Sequence, residues 1–199
     1  SSENTAVGTQ ALYTNTTGQT NVAVGMNALY SNNASNNVAV GHGAMNANTT
    51  GASNVAMGHS ALVANTTGAS NVAVGRKSLE DNTTGSNNTA LGYSALEDNN
   101  AGDNTAVGYK ALEINTTGAN NVAIGSYSLT ANTTGTRNLA IGFHAYDSSD
   151  TENDNIAIGA YAMDANTAGG TLNVAIGNYA LDALTSGDDN VAVGHNALG

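Results

Sequence analysis

The chain has no cysteine, no proline and no tryptophan, a single phenylalanine, and only four lysines and arginines among its 199 residues. Without cysteine there are no disulfide staples and no thiolate metal sites, while the compartment stays open. Without basic clusters there is no electrostatic footprint for nucleic acid, and the net charge of −11 points the same way. Long hydrophobic runs are missing as well. Nothing approaches the roughly 20 apolar residues of a membrane-spanning helix, and no signal-peptide pattern opens the chain. The sequence starts at Ser1 rather than Met, so removal of a leader, or excision from a larger protein, is expected.

What is present is repetition. The phrase Asn-x-Ala-(Val/Ile/Leu/Met)-Gly occurs twelve times, from Asn4 to Asn190, at spacings of 16 to 18 residues. A unit this short cannot bury its own apolar face, so each must be one coil of a stacked solenoid. Asn, Ala and Gly are fixed in every phrase. Between them stand two variable columns dominated by Val and Ile, such as Val22, Val38 and Val55 in the first and Ile124, Ile141 and Ile158 in the second. β-branched residues at this density predict strands, and a fixed Gly and Asn in every unit exclude a helix. Alternation places Asn, Ala and Gly on one face and the variable columns on the other. One face can line the core of the coil, and the other needs a cover, most simply another copy of the chain.

Turns follow with the same regularity. Asn-Thr-Thr-Gly stands at Asn15–Gly18, Asn48–Gly51, Asn65–Gly68, Asn82–Gly85, Asn115–Gly118 and Asn132–Gly135. Glycine is expected to supply positive φ there and the Thr hydroxyls to bond local amides. The second Asn column, Asn15 through Asn132 and then Asn166, with Ser149 and Leu184 as exceptions, predicts side-chain amides bonded along the stack. These triplets also match the N-glycosylation pattern, but coil geometry explains them without it. The expected fold is therefore all-β: a parallel β-solenoid of twelve coils of about 17 residues, filling residues 1–199 as one array. Neither end shows a polar capping unit, which predicts an excised shaft segment or end-to-end stacking.

The phrase Asn-Val-Ala-Val-Gly-x-x-Ala-Leu followed by Asn-Thr-Thr-Gly resembles the head repeats of trimeric autotransporter adhesins. It is also similar to shaft repeats of phage tail fibres and bacterial surface fibres. The resemblance covers the whole chain and implies a left-handed parallel β-roll, usually trimeric, on a cell surface, outside the cell or on a virion. Adhesin-head repeats are typically a few residues shorter.

Charge is unevenly distributed. Residues 1–79 sum to +1, with Glu3 against Arg76 and Lys77, whereas residues 80–199 sum to −12, with fourteen acids against Lys110 and Arg137. Glu80, Glu97 and Glu113 form one carboxylate column, with Asp81 and Asp98 beside it, and Asp147, Asp164 and Asp182 form another. Too few bases are in sight to neutralise them. Hard cations favour such oxygens, which makes Glu80, Glu97, Glu113, Asp147, Asp150, Glu152 and Asp154 the Ca²⁺ candidates, against a plain solvated acidic surface. No other cofactor is implied. Tyr13 with Tyr30, Tyr93 with Tyr109, and Tyr127, Tyr161 and Tyr179 around His144 form aromatic columns, read as ladder stacking or subunit contacts. His42 and His59 share a column without a third ligand. No nucleophile, base and orienting group converge, so catalysis is not expected. The expectation is a self-associating structural fibre or shaft, adhesive or matrix-forming. The alternative is a binding module using one flat face for a glycan, a receptor or ice.

Overall fold

The computed structural model describes residues 3–165 and 169–199; Asn166, expected in the second Asn column, lies outside them. Twelve three-residue strands run from β1 (Thr5–Val7) through β5 (Val72–Val74), β6 (Thr89–Leu91) and β7 (Thr105–Val107) to β12 (Val191–Val193). They form a single sheet in strict chain order, every pair parallel and in register. This is the expected β-solenoid, with about 17 residues per coil.

The sheet is narrow because each strand is only three residues long, so most of a coil is turn. The fixed Ala of the phrase points inward and is fully buried from Ala23 to Ala175. The Ala-Leu pair across the coil meets it, with Ala28, Leu29, Ala61, Leu62, Ala95 and Leu96 all at zero exposure. Together they make one thin core running the length of the rod. Small residues face large ones, as a cross-section only one side chain deep requires.

Backbone strain holds this core in place. The Leu position has left-handed backbone in every coil, with φ between 50° and 55° from Leu12 to Leu198, Met45, Tyr146 and Met163 included. Such a conformation disfavours a residue with a Cβ by about 1–2 kcal/mol. Burying a Leu side chain is worth about 1.5–3 kcal/mol, which offsets it. The Leu amide still bonds the next coil, for example Leu29 N–H to Ala44 O at 3.0 Å.

Two glycine columns are demanded by close approach. At Gly75, φ is +131°, and a Cβ would lie 2.3 Å from the carbonyl oxygen of Gly92 one coil on. The turn glycine differs from expectation. Gly51 and Gly68 lie outside the positive-φ region, yet a Cβ at Gly51 would meet Gly68 O at 2.3 Å and Asn48 Oδ1 at 2.6 Å. Room, not φ, fixes glycine in this turn. Where a coil loses one turn residue, Ala34 and Ala101 stand in its place and their carbonyls accept the same asparagine bonds.

Asparagine supplies two internal ladders. Each anchor Asn accepts the next anchor's amide on Oδ1, as in Asn71 N–H to Asn54 Oδ1 at 2.9 Å, and donates to its own turn carbonyl, as in Asn54 Nδ2 to Gly68 O at 2.9 Å. In the second column the amides bond one another as expected, Asn48 to Asn32 and Asn65 to Asn48 at 2.7 Å each, continuing to Asn132. The Thr hydroxyls differ in target: Thr49 and Thr66 donate to the next coil's carbonyl rather than to local amides. Buried amides thus satisfy the backbone groups that twelve turns would otherwise leave unpaired.

Candidate functional site: the outward columns of the rod

With Ala, Leu and Asn turned inward, function has to reside on what points out. On the strand face the two variable columns project outward and are half-buried to exposed along the whole rod. Only three of the first column's residues are polar: Thr5, Thr89 and Thr105. The longer side chains of the second protrude most, with Met57 at 44% and Leu91 at 39% exposure. Twelve rungs at about 4.8 Å make a ribbon roughly 58 Å long and about 10 Å wide. That is some 600 Å² of contiguous apolar surface, at the upper end of what a monomer carries. Beside it stand Met26 and Phe143, both exposed. The expectation that this face lacks a cover within the chain holds.

The aromatic columns merge into a single stair. Tyr93, Tyr109, Tyr127, His144, Tyr161, Tyr179 and His195 follow one another through seven coils, with neighbouring centroids 4.8–6.0 Å apart. Tyr13 stacks on Tyr30 and His42 on His59 in the same manner. Ring faces are largely used up by these neighbours, so the stair offers edges to solvent. A sugar ring needs an open aromatic face, so stacking leaves this column ill-suited to glycan binding.

The acidic columns are organised by the few bases. Lys77 Nζ sits 2.7 Å from Glu80 and 3.0 Å from Glu97, bridging two coils. Lys110 Nζ sits 2.8 Å from Glu113, and Asp147 accepts from His144. The scarcity expected from composition is met by placement: the base stands three residues before the acid, across the inward Ala-Leu pair. That spacing is visible in Lys77-Ser-Leu-Glu80 and Lys110-Ala-Leu-Glu113 and was the missed signal. Hydrogen bonds to Glu80 and Glu97 hold Lys77 above the usual lysine range, and Glu113 does the same for Lys110. Burial pushes the Glu97 carboxyl up, but bonds from Ser94 and Lys77 outweigh it and hold it below its ordinary value. Asp98 goes the other way, raised by burial and by Asp81. Asp164 is pushed up to about 7 by burial, by the hydrogen bond it shares with Asp147, and by the charges of Asp147 and Asp182.

The oxygen cluster at 147–154 is dispersed. Asp150 pairs with the Thr133 hydroxyl, and Asp154 forms a two-pronged pair with Arg137 at 2.6 and 2.7 Å. Glu152 turns inward and is buried. It accepts from the Ser149 hydroxyl and the Asp150 and Thr151 amides on one oxygen, and from the Gly169 amide on the other, all at 3.0 Å. It fills the place of the amide that Ser149 cannot supply. The substitution also interrupts the asparagine column, leaving Asn132 Oδ1 buried without a partner. Among the described residues no three His, Asp or Glu side chains converge as a metal site would require. Nor is there an enclosed pocket among them. The glycosylation triplets are occupied too, since Asn48, Asn65 and Asn82 are fully buried with Nδ2 donating to two acceptors each. No helix among the described residues is long and apolar enough to cross a membrane. No protein-family model matches the chain, and neither curated proteins nor solved structures yield a match.

Proposed function

We propose that the chain is a structural subunit or shaft of an extracellular fibre, associating laterally with copies of itself. The observation that carries this reading is the uninterrupted outward ribbon of Val, Ile, Leu and Met on a rod whose other faces are polar or already stacked. The core is complete within each coil, so the ribbon is surplus to folding and serves contact. A one-neighbour stack gives length and stiffness rather than a cleft. The resemblance to surface-fibre repeats supports the same role, in an adhesive or matrix-forming setting on a cell or virion. A Ca²⁺ requirement finds little support, because the acids expected to bind it already hold Lys, His, Arg, Thr or backbone partners.

Sedimentation and electron microscopy of the purified chain test the proposal. Assemblies of rods lying side by side are expected, and Val74→Lys with Val107→Lys should leave the circular dichroism of the chain intact while releasing single rods. Isolated rods of the unaltered chain at all concentrations would sink it.

A further inference from the structure

Two further columns border the outward ribbon. Directly before each anchor Asn stands the leading border, and directly after each fixed Gly stands the trailing border. The leading border carries Glu3, Asp103, Asp154 and Asp189 against one base, Arg137, and all but the half-buried Asp154 are exposed. The trailing border has no acid. It holds Arg76, three histidines and the rings of Tyr93, Tyr109 and Phe143. One edge of the face is net acidic and the other is basic and aromatic.

That difference selects an orientation. Two identical faces can close on each other about a two-fold axis along the rod, giving parallel chains, or across the rod, giving antiparallel ones. In the parallel case the leading border of one chain faces the trailing border of the other, coil for coil. Asp189 then meets the partner's His195, Asp103 meets the partner's Tyr109, and Arg137 meets the partner's Phe143. In the antiparallel case the acidic border faces itself. Glu3 then meets the partner's Asp189, and Arg137 meets the partner's Ser53. Complementary potentials favour the first arrangement and like charges penalise the second.

We propose that a second copy of this chain covers the strand face in parallel and in register, about a two-fold axis along the rod. The inference rests on the lateral association proposed above and specifies its geometry. Area is consistent: about 600 Å² from each ribbon gives roughly 1,200 Å² in total, the lower edge of a stable interface, before the borders are added. Polar Thr89 and Thr105, in adjacent central coils, fall opposite their own coils in the partner, so the ribbon's apolar stretches remain matched.

The absence of native cysteine makes the test direct. Val24→Cys lies near one end of the ribbon and Ile176→Cys near the other, both on partly exposed positions. Each variant, alone and as an equal mixture, is treated with a bismaleimide spanning the roughly 10 Å between packed sheets. Thr50→Cys, exposed at the turn, serves as the off-face control. Expected are a sedimentation mass of twice the 19.8 kDa chain, and crosslinked pairs in each ribbon variant alone but not in Thr50→Cys. Crosslinks confined to the mixture would overturn the parallel orientation while leaving lateral association standing. A three-chain mass would overturn the two-fold axis. A single-chain mass without crosslinks would overturn both this inference and the association it rests on.

Discussion

Replacing Gly75 by Ala tests the central claim that coil spacing is set by backbone against backbone. The added Cβ would sit 2.3 Å from Gly92 O and 2.6 Å from Gly92 C, on a residue whose φ is +131°. Neither neighbour is a flexible side chain that can swing aside. Holding a residue with a Cβ at that φ costs about 1–3 kcal/mol. Restoring ordinary contact requires the two coils to part by about 1 Å. The bonds that span the gap there, Gly92 N–H to Val74 O at 2.8 Å and Ser94 N–H to Arg76 O at 3.1 Å, would stretch or break. At about 1 kcal/mol each, they bring the total to roughly 3–5 kcal/mol. That is a large part of the 5–15 kcal/mol that holds a typical domain. Because each coil contacts only its neighbours, the two halves should also uncouple and melt in two steps. Urea titration followed by far-UV circular dichroism measures the loss, and limited proteolysis locates the break. Gly43→Asn is the control: φ is +65°, nothing lies within 4 Å, and Asn27 and Asn196 hold the same place elsewhere. It should be neutral within about 0.5 kcal/mol. If Gly75→Ala unfolds together with the unaltered chain, close approach does not explain the glycine column.

Three other perturbations probe separate features. Leu96→Ala keeps the left-handed backbone and loses the buried side chain, so a cost of about 2–5 kcal/mol is expected in the same titration; an unchanged midpoint would mean the core can collapse around the gap. Glu152→Ala should destabilise the C-terminal coils by stripping four donors of their acceptor. Ser149→Asn with Glu152→Gly, which rebuilds the usual turn and gives Asn132 Oδ1 a donor, should restore them, and no recovery in the melting temperature would refute the replacement reading. The third concerns pH. Asp164 is raised to about 7 from an ordinary 3.8, so between those values the folded chain binds a proton that the unfolded chain does not. Its contribution is full below about pH 4 and is lost as pH rises through 7. Asp154 and Asp188, held below their ordinary values by Arg137 and by Thr171, act in the opposite sense and lose their contribution as pH falls below about 4. The melting temperature should therefore be higher at pH 5 than at pH 8, and Asp164→Asn should flatten that slope.

Most of the architecture was legible because its cause is periodic. A fixed Asn, Ala and Gly every 17 residues or so specify a strand, an inward side and a close approach without any long-range information. The amide ladder of Asn32 to Asn132 could be read for the same reason. Less legible were features in which one coil departs from the rest. Glu152 looked like a surface ligand because its charge suggests solvent, whereas its phase, one coil on from Gly135, places it against the core. The buried left-handed Leu was invisible, since Leu carries no turn signal of its own and only the packing of the coil imposes that backbone. The bridges from Lys77 and Lys110 were hidden by counting charges rather than asking where each base stands.

One-neighbour stacking has a consequence for a chain held by its two ends. Every backbone bond that joins coils runs along the rod, while the chain itself winds across it, so tension reaches the coils one at a time from the ends inward. Each coil that peels away releases about 17 residues of slack, close to 60 Å when fully extended. The rod would then lengthen in near-equal steps of roughly twelve times its own rung spacing. A rod of this kind behaves less like a cable that snaps than like a spool that yields turn by turn, with the intact turns keeping their shape.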